Sequence, residues 1–444
     1  MNRGRLLAGL TVPLFVVMTS ATPMSPAPSA VRPGPHPITS AVRSGPGPTT
    51  LTAPSERQLL AAIATALHRN LRSSPPVIYP SNAYSNPYLR DSFWAAQAYG
   101  QRAFSVPILD AFARHERADG DPPTDFTRPY YGPVYRDDES AALLLIWAWR
   151  NHTLYGVTPP KVSLQRALSY LLSRQRNGYL MTPPGMFHSW WDAYNWPTAT
   201  AIAYNQGLYA VAIRCAKELG LSSIPLHGIA SAEQAYRSLY NPQLGYMQLS
   251  TTLAASDASA LTGEFLSLWI FNRPILTDSM VLSTLSHLKP FGAGYYVAAL
   301  PQGDGSFPET AALGAPGYYQ NGASWLLYDA LSIGAAGLHG LPDALPRLQA
   351  RLALEFRRDV TLHEFLETNP TLPDYGLARH VLVGYVRAGR RPDAAPVDAS
   401  CWCVCNCHTA PAYRFNRRTH WHPRRNQDAS MLRREEHVRW NIVA

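Results

Sequence analysis

Between residues 55 and 400 the sequence lacks net charge, long apolar runs and all but one of its cysteines. Four arginines in residues 1–54, and eight arginines against three acids in residues 401–444, account for the whole formal charge of +9. The basic character therefore belongs to the two ends and gives no indication that the central part binds nucleic acid. No segment of the central part approaches the roughly 20 apolar residues that a membrane span needs.

Cysteine is scarce in the central part, where Cys215 falls in a predicted helix and is expected to be a small buried apolar residue. The other four cysteines alternate at the C-terminal end, at Cys401, Cys403, Cys405 and Cys407. A zinc site usually has two well-separated ligand pairs, so this spacing disfavours a metal. Disulfides within or between chains, or a non-native end, explain it better. We expect no metal and no cofactor.

The N-terminal end is typical of a secretory signal. Arg3 and Arg5 precede the apolar run 6–18, and small residues follow at 19–21. An uncleaved membrane anchor is the alternative. The sequence therefore predicts a signal at 1–22, a Pro/Ser/Gly-rich linker at 23–54, one domain at 55–392 and an irregular Cys/Arg-rich tail at 393–444. It also predicts a secreted or extracytoplasmic, monomeric protein with no membrane contact in its mature form.

The domain shows almost no alternating strand pattern and instead has the periodicity of helices separated by Gly-, Pro- and aromatic-rich loops. The predicted helices fall near 55–71, 88–100, 104–117, 137–155, 162–176, 197–219, 229–240, 257–271, 277–288, 320–339, 342–358 and 375–389. Ser55 and Asp257 are expected to cap helices, Pro197 is expected in a first turn, and Gly100, Gly156, Gly220 and Gly340 are expected to end helices.

Twelve helices make six hairpins, and two of the helices, 139–150 and 323–337, are apolar over much of their circumference. Such helices are buried on two sides, as in the inner ring of a double ring. The predicted fold is therefore all-α, an (α/α)6 toroid of six helical hairpins. A helical-repeat solenoid has the same helix count, but the sequence shows no fixed period.

Loops before several predicted helices combine carboxylates or amides with Trp or Tyr. They are "NPYLRDSFW", "YGPVYRDDES", "HSWWDAYNW", "GYYQNGASW" and, with Phe only, "LHEFLETNP". Aromatic faces pack on the apolar faces of sugar rings, and acids, amides and Arg bond the hydroxyls. Each motif alone has a simpler explanation, since an Arg-Asp pair can lie on the surface and acids favour helix N-termini. Together, the five motifs favour a sugar site at one end of a toroid.

These motifs and their order resemble the six-hairpin glycosidases: glycoside hydrolase family 63 with the mannosylglycerate hydrolases and, more distantly, trehalases and glucoamylases. "RDSFW", "SWWDAYNW" before "AYNQGLYAVAIRCAKELG", "YYQNGASW" and a late Glu carry the resemblance, which covers residues 55–389. It implies an Asp general acid before the sixth helix, at Asp192, and a Glu general base before the twelfth. Glu364 is slightly favoured over Glu367 for that base.

The resemblance further implies that Arg90 and Asp91 hold the sugar that is cleaved. The candidate substrate-binding residues are Arg90, Asp91, Trp94, Asp138, Trp191, Tyr194, Asn205, Gln206, Gln320, Asn321 and Trp325. The chain departs from the family pattern after Tyr385, where "VRAGRRPDAAP" replaces an aromatic-rich last helix.

The sequence thus predicts an inverting hydrolase of a small α-linked glucoside or mannoside. Aromatic side chains around Asp192 would desolvate its carboxyl and raise its pKa, as a general acid requires. The alternatives are a non-catalytic carbohydrate-binding toroid and an (α/α)6 polysaccharide lyase or epimerase. A helical scaffold without enzymatic activity is a further alternative.

Overall fold

The structure is a computed structural model that describes residues 71–73, 76–78, 87–126, 138–185, 188–191, 194–221, 226–288, 290–291, 294–295, 320–342, 344, 346–348, 350–351 and 365–366. The signal, the linker, the tail, Ser55 and the first and twelfth predicted helices lie outside these residues. The domain boundaries at both ends therefore stay predictions.

Within the described residues, nine α-helices agree with the predicted ones to within a few residues at most ends. They are α1 Leu89–Tyr99, α2 Arg102–Arg114, α3 Asp138–Tyr155, α4 Lys161–Arg174, α5 Ala203–Glu218, α6 Leu226–Arg237, α7 Thr262–Phe271, α8 Asp278–His287 and α9 Leu326–Leu338. A 3-10 turn, Ala258–Leu261, leads into α7, and Asp257 caps it by accepting from the Ser259 N–H at 2.8 Å, as predicted. Gly100, at the end of α1, has a φ of 65°, the left-handed conformation expected of a helix-terminating glycine.

Short two-stranded antiparallel pairs connect or flank the helices. They are β1 Leu71–Ser73 with β2 Pro76–Ile78, β3 Gln175–Arg176 with β4 Tyr179–Leu180, β5 Tyr240–Asn241 with β6 Tyr246–Met247, β7 Pro290–Phe291 with β8 Gly294–Tyr295, and β9 Ser324–Trp325 with β10 Phe365–Leu366. Most join neighbours in sequence. The β9–β10 pair instead brings together segments about 40 residues apart in the chain.

The helices form two layers, because every second helix is buried over most of its length. α1, α3, α5, α7 and α9 pack against one another in chain order, while α2, α4, α6 and α8 cover them. In α5 every residue from Ala203 to Ile213 is buried. In α4, by contrast, the buried positions Leu164, Ala167, Leu168 and Leu171 form one stripe. The described helices therefore have the inner and outer layers of a toroid.

Inner helices α5 and α7 touch backbone to backbone at two glycines. A Cβ atom added to Gly263 would lie 2.3 Å from the Gly207 Cα, and one added to Gly207 would lie 2.8 Å from the Gly263 Cα. Carbon atoms do not approach this closely, so only glycine fits at either position. This crossing places the start of α7 directly against the start of α5.

Two predicted helix starts were wrong. α5 begins at Ala203, not near Pro197, because the preceding residues form backbone bridges: Trp196 with Gly185 and Thr200 with Thr182. Likewise α9 begins at Leu326, not near residue 320, because β9 pairs with β10. In both places, backbone hydrogen bonds to distant segments replace helical ones.

None of the helices in the described part of the chain combines the length and apolar character that crossing a membrane requires.

Hydrogen bonds from His339 to a buried and to an exposed carboxylate join α7, α8 and α9. Glu264, fully buried, accepts hydrogen bonds from the Ile275 and Leu276 N–H groups and from the His339 Nε2 at 2.8 Å. The other ring nitrogen of His339 bonds Asp278 at 2.7 Å. Burial by itself would lower the pKa of His339, but hydrogen bonds to the two carboxylates outweigh it and raise that pKa.

Substitution by alanine should have opposite effects at Gly263, which lies in the backbone contact, and at Gly337, which lies outside it. Gly263→Ala should lower the free energy of unfolding by at least about 1–3 kcal/mol, because the methyl group meets backbone that cannot move aside. Gly337→Ala, whose new Cβ would make an ordinary 3.5 Å contact with Ala344, should raise it by about 0.5–1 kcal/mol. Urea unfolding of both variants measures this. Equal effects of the two substitutions would show that the backbone contact is not tight.

The Glu264–His339–Asp278 link predicts a pH-dependent stability. Because the folded pKa of His339 is raised, its contribution is full below the unfolded value of about 6.5 and is lost as pH rises through the folded value. His339→Gln should therefore destabilise by about 1–3 kcal/mol at pH 6 and by less at pH 9. Urea unfolding of wild type and variant at both pH values tests this, and a difference that grows with pH would contradict it.

Candidate active site at the inner-helix N-termini

The inner helices α1, α3, α5, α7 and α9 together form a barrel. Their first turns gather at one end of it. Contacts between their N-terminal residues confirm this: Arg90 of α1 bonds Glu139 of α3, and Tyr204 of α5 meets Tyr328 of α9 with ring centroids 5.8 Å apart. The described N-terminal residues of these helices therefore lie at a common end.

A buried ion pair lies at this end. The Arg90 Nη1 is 2.7 Å from the Glu139 Oε1, with 22% of the Arg90 side chain and 1% of the Glu139 side chain exposed. Burial opposes the charge on Arg90, but Glu139, followed by other nearby groups that include Asp91, outweighs it and raises the pKa of Arg90. Asp91 is partly exposed beside this pair. The guanidinium thus stays charged and has a buried carboxylate partner.

Two buried tyrosines adjoin this ion pair. Tyr204 and Tyr328 are 0% and 1% exposed. Burial raises the pKa of both hydroxyls, and the negative charge of Glu139 raises it further. Both phenols therefore remain protonated and can donate a hydrogen bond.

Four aromatic rings form a cluster beside these groups, which we call the tryptophan cluster: Trp190, Trp191, Trp325 and Tyr328. The ring of Trp190 lies at its centre, with centroid distances of 4.6 Å to Trp191, 5.3 Å to Trp325 and 4.2 Å to Tyr328. Trp325 is 7% exposed.

The loop that carries Trp190 and Trp191 is fixed by its backbone carbonyls. The His188 carbonyl accepts from the Asp138 N–H at 3.3 Å and from the Asn205 Nδ2 at 3.1 Å. The Trp190 carbonyl accepts from the Gln320 side-chain amide. Three different segments therefore hold this loop in place.

The two indole N–H groups both bond the residues that begin α7. Trp191 Nε1 donates to Asp257 Oδ2 at 3.1 Å, and Trp190 Nε1 donates to Ser259 Oγ at 2.8 Å. Asp257 is fully buried, and burial raises its pKa to about 6, although hydrogen bonds from Ser259 and Trp191 oppose the shift.

The predicted catalytic residues Asp192, Glu364 and Glu367 lie outside the described residues. Their chain neighbours are described: Trp191 belongs to the tryptophan cluster, and Phe365 pairs with Trp325 in the β9–β10 ladder. In the chain, Asp192 thus follows Trp191, and the two candidate bases flank residues 365–366, whose strand pairs with that of Trp325.

Several predicted substrate-binding residues have structural contacts. Asn205 Nδ2 and Gln320 Nε2 hold the loop described above, and Asn321 is fully buried. The Gln206 amide bonds the Leu180 N–H and the carbonyls of Gly178 and Ala232, all backbone groups of the outer side. The structure therefore gives Gln206 the role of anchoring the β3–β4 hairpin and α6 to α5.

Asp138 and Trp94 also lie away from the ion pair. Asp138 accepts from the Tyr170 hydroxyl at 2.9 Å and lies 3.7 Å from the Arg174 Nε, both on outer helix α4; burial raises its pKa. Trp94 is 2% exposed, with its ring 6.5 Å from that of Phe265 on α7. Tyr194 is partly exposed and packs on Trp196 at 4.5 Å.

Sequence reasoning missed Glu139, Tyr204 and Tyr328, and it identified Asp257 only as a helix cap. The first three lie in the first turn of an inner helix, and that position is the signal that could have identified them. Within the described ranges, no three His, Cys, Asp or Glu side chains come together as a metal site requires.

Comparison with known proteins relates this chain to glycosidases by structure. No family model and no curated protein matches the sequence. A glycosidase variant in complex with glucose superposes with a TM-score of 0.53 at 16% identity, over 70% of this chain and 86% of that chain. The wild-type glycosidase gives a TM-score of 0.52 with the same identity and coverage. The GH63 mannosylglycerate hydrolase from Thermus thermophilus gives 0.49 at 14% identity, over 70% of this chain and 94% of that chain.

The chain therefore has the (α/α)6 toroid fold of these glycosidases, as the sequence predicted. The resemblance of its motifs to the six-hairpin glycosidases is confirmed at the level of fold.

The buried ion pair predicts a large difference between two arginine substitutions. Arg90→Gln should lower the free energy of unfolding by about 3–5 kcal/mol, because it removes the positive charge that compensates the buried Glu139 carboxylate. Arg273→Gln removes a 3.0 Å bond to Glu233 from an arginine whose side chain is 54% exposed, and should cost about 0–1 kcal/mol. Urea unfolding compares them. Similar losses would mean that Glu139 is not held as a buried ion.

Proposed function

We propose that this protein is an exported glycoside hydrolase that cleaves a small α-linked glucoside or mannoside with inversion. Asp192 is the general acid in this proposal, and Glu364 or Glu367 is the general base. Export is proposed from the N-terminal residues 1–22 alone, through the basic and apolar pattern described above.

One observation carries the proposal: Trp190 contacts both Trp191 and Trp325. Trp191 directly precedes Asp192, and Trp325 pairs with Phe365, which lies between Glu364 and Glu367 in the chain. This convergence supports placing an acid and a base at the same end of the barrel. The toroid fold shared with the matched glycosidases supports the same reaction class.

The side chains at this end suit an uncharged sugar. The tryptophan cluster places apolar surface at this end, and Trp325, at 7% exposed, is the most accessible of its rings. Arg90 and Asp91, which are partly exposed beside the buried Glu139, offer a donor and an acceptor for the hydroxyls of the sugar. Glu139 compensates the charge of Arg90, so among the described residues this arginine is not free to attract an acidic sugar, which disfavours the lyase alternative.

The proposed reaction uses two carboxyl groups with opposite protonation. Asp192 gives its proton to the departing oxygen, and the ionised Glu activates a water molecule on the opposite face of the ring. Inversion needs a carboxyl separation of about 6.5–9.5 Å to admit that water. Aromatic surroundings favour the protonated form of the acid, because burial disfavours its charge.

Glucose is the first sugar to test. The glycosidase matched at a TM-score of 0.53 is a complex with glucose, which supports a glucose-type ring in the substrate. Mannosides, which differ at one hydroxyl, are the second choice.

The acid assignment predicts a leaving-group dependence for Asp192→Asn. Hydrolysis of disaccharides should fall by about 10²–10⁴-fold, because their poor leaving groups need protonation. Nitrophenyl glycosides should lose less, and sugar binding should survive. Asp119→Asn, at an exposed loop residue, is the matched control and should leave rates unchanged. Unchanged disaccharide hydrolysis in Asp192→Asn, in an active protein, would remove Asp192 from the mechanism.

Two further variants in the same assay identify the base. Glu364→Gln or Glu367→Gln should lose rate almost independently of the leaving group, because the base activates water. Restoration of the rate by azide would mark the true base and its face of attack. Release of an unsaturated sugar would instead indicate a lyase, and binding without turnover would indicate a carbohydrate-binding toroid.

A further inference from the structure

The buried Asp257 carboxylate has more hydrogen bonds than its helix cap requires. Its Oδ1 accepts the Ser259 N–H at 2.8 Å, and this bond alone caps the 3-10 turn. Its Oδ2 accepts the Trp191 Nε1–H at 3.1 Å and the Ser259 hydroxyl. All three donors come from two residues, Ser259 and Trp191.

A helix cap does not need such a group. Caps are usually partly exposed, and Ser, Thr or Asn serve as well as Asp. Asp257 is 0% exposed and has no ion pair with any Arg, Lys or His of the described residues. Burying an unpaired carboxylate is unfavourable unless several donors compensate it. The second oxygen, which contributes nothing to the cap, therefore needs another explanation.

Ser259 extends the arrangement to the second tryptophan. Its hydroxyl donates to Asp257 and accepts from the Trp190 Nε1–H at 2.8 Å. Consecutive residues 190 and 191 thus direct both indole N–H groups at one acceptor pair on the start of α7. With both rings fixed, the backbone at these two residues has little freedom, and Asp192 is the next residue.

The position of the acceptor pair depends on the inner barrel. Residues 257–259 lead into α7, whose Gly263 touches Gly207 of α5. The Tyr236 hydroxyl of α6 donates to the Ala260 carbonyl. The acceptors therefore sit on a rigid part of the barrel, while Trp190 and Trp191 sit on a loop.

We propose that Asp257, with Ser259, is a positioning residue that orients Trp190 and Trp191 and, through them, the chain at Asp192. This rests on the proposed function, in which Asp192 must point at the glycosidic oxygen. Asp257 acts through Trp191 and does not itself contact the substrate.

The test is Asp257→Asn, which keeps the shape but replaces one acceptor by a donor. In either orientation of the new amide, its NH2 group replaces an acceptor and faces a donor, either the Ser259 N–H or the Trp191 Nε1–H. One of the two hydrogen bonds is therefore lost. We expect kcat to fall by about 10²-fold, with KM changed less than about threefold, since misplacement of a reacting group by about 1 Å has this effect. Thr277→Ala is the control: it removes the cap of α8, a 3.2 Å bond from the Met280 N–H, and contacts no tryptophan. It should lower Tm by a few degrees and leave kcat unchanged.

A double-mutant cycle separates positioning from general loss of structure. If Asp257 acts through Trp191, Asp257→Asn should have little further effect on kcat in a Trp191→Phe background. If the fold-losses in kcat of the two single variants multiply in the double variant, the proposal is overturned. An unchanged kcat in Asp257→Asn would also overturn it.

A conformational measurement keeps the inference separate from the proposed function. In ¹⁵N-indole spectra, Asp257→Asn should shift the Trp191 indole resonance, whereas Thr277→Ala should not. If the wild-type protein hydrolyses no glycoside, the proposed function fails. The role of Asp257 in orienting the general acid then fails as well. The indole spectra still decide whether Asp257 orients Trp191, and an unchanged resonance would overturn that as well.

Discussion

The backbone contact between Gly207 and Gly263 fixes how inner helices α5 and α7 cross, and the site is built on that crossing. Tyr204 precedes Gly207 by about one turn, and the acceptors for the two indoles, Asp257 and Ser259, lie in the segment that leads directly into the helix of Gly263. A side chain at either glycine would push the helices apart, and the tyrosine and the tryptophan loop would separate with them. Close packing of the inner helices therefore sets the distances between the side chains at their N-terminal ends.

Two arginines of the described residues are each paired with a buried carboxylate. Arg90 pairs with Glu139, and Arg351 pairs with Asp329 at 2.6 Å with both side chains 0% exposed. Asp329 also accepts from the Ser324 hydroxyl at 2.5 Å, which connects this second pair to the strand that carries Trp325. Buried pairs are weak evidence for stability, but removal of one partner is strongly unfavourable. Their effect here is to hold defined conformations at the ends of α1, α3 and α9.

The aromatic residues serve two purposes that the structure separates. Trp94 and Phe265 meet within the inner barrel and belong to the core. Trp190, Trp191 and Trp325 lie near its N-terminal end, where polar groups surround them. A sequence rich in tryptophan does not distinguish these purposes, because both kinds of residue are buried.

Helix periodicity and glycine or aspartate signals at helix ends determined the elements, the hairpin order and hence the toroid, because these depend on local preferences and on one apolar face per helix. They also predicted the loops of the candidate site, of which the structure describes parts. Sequence could not assign individual side chains to it. Successive residues on a helix point about 100° apart, so Asp138 faces outer helix α4 while the adjacent Glu139 faces Arg90.

Sequence also could not predict which residues distant in the chain would bond each other. Asn205 holds the tryptophan loop, and its neighbour Gln206 bonds the β3–β4 hairpin and α6 on the outer side. Asp257 was recognisable as a cap from its local sequence, but its bond to Trp191 joins residues 66 positions apart. Which oxygen of a carboxylate meets which distant donor depends on how helices cross, and that is decided by packing over the whole barrel.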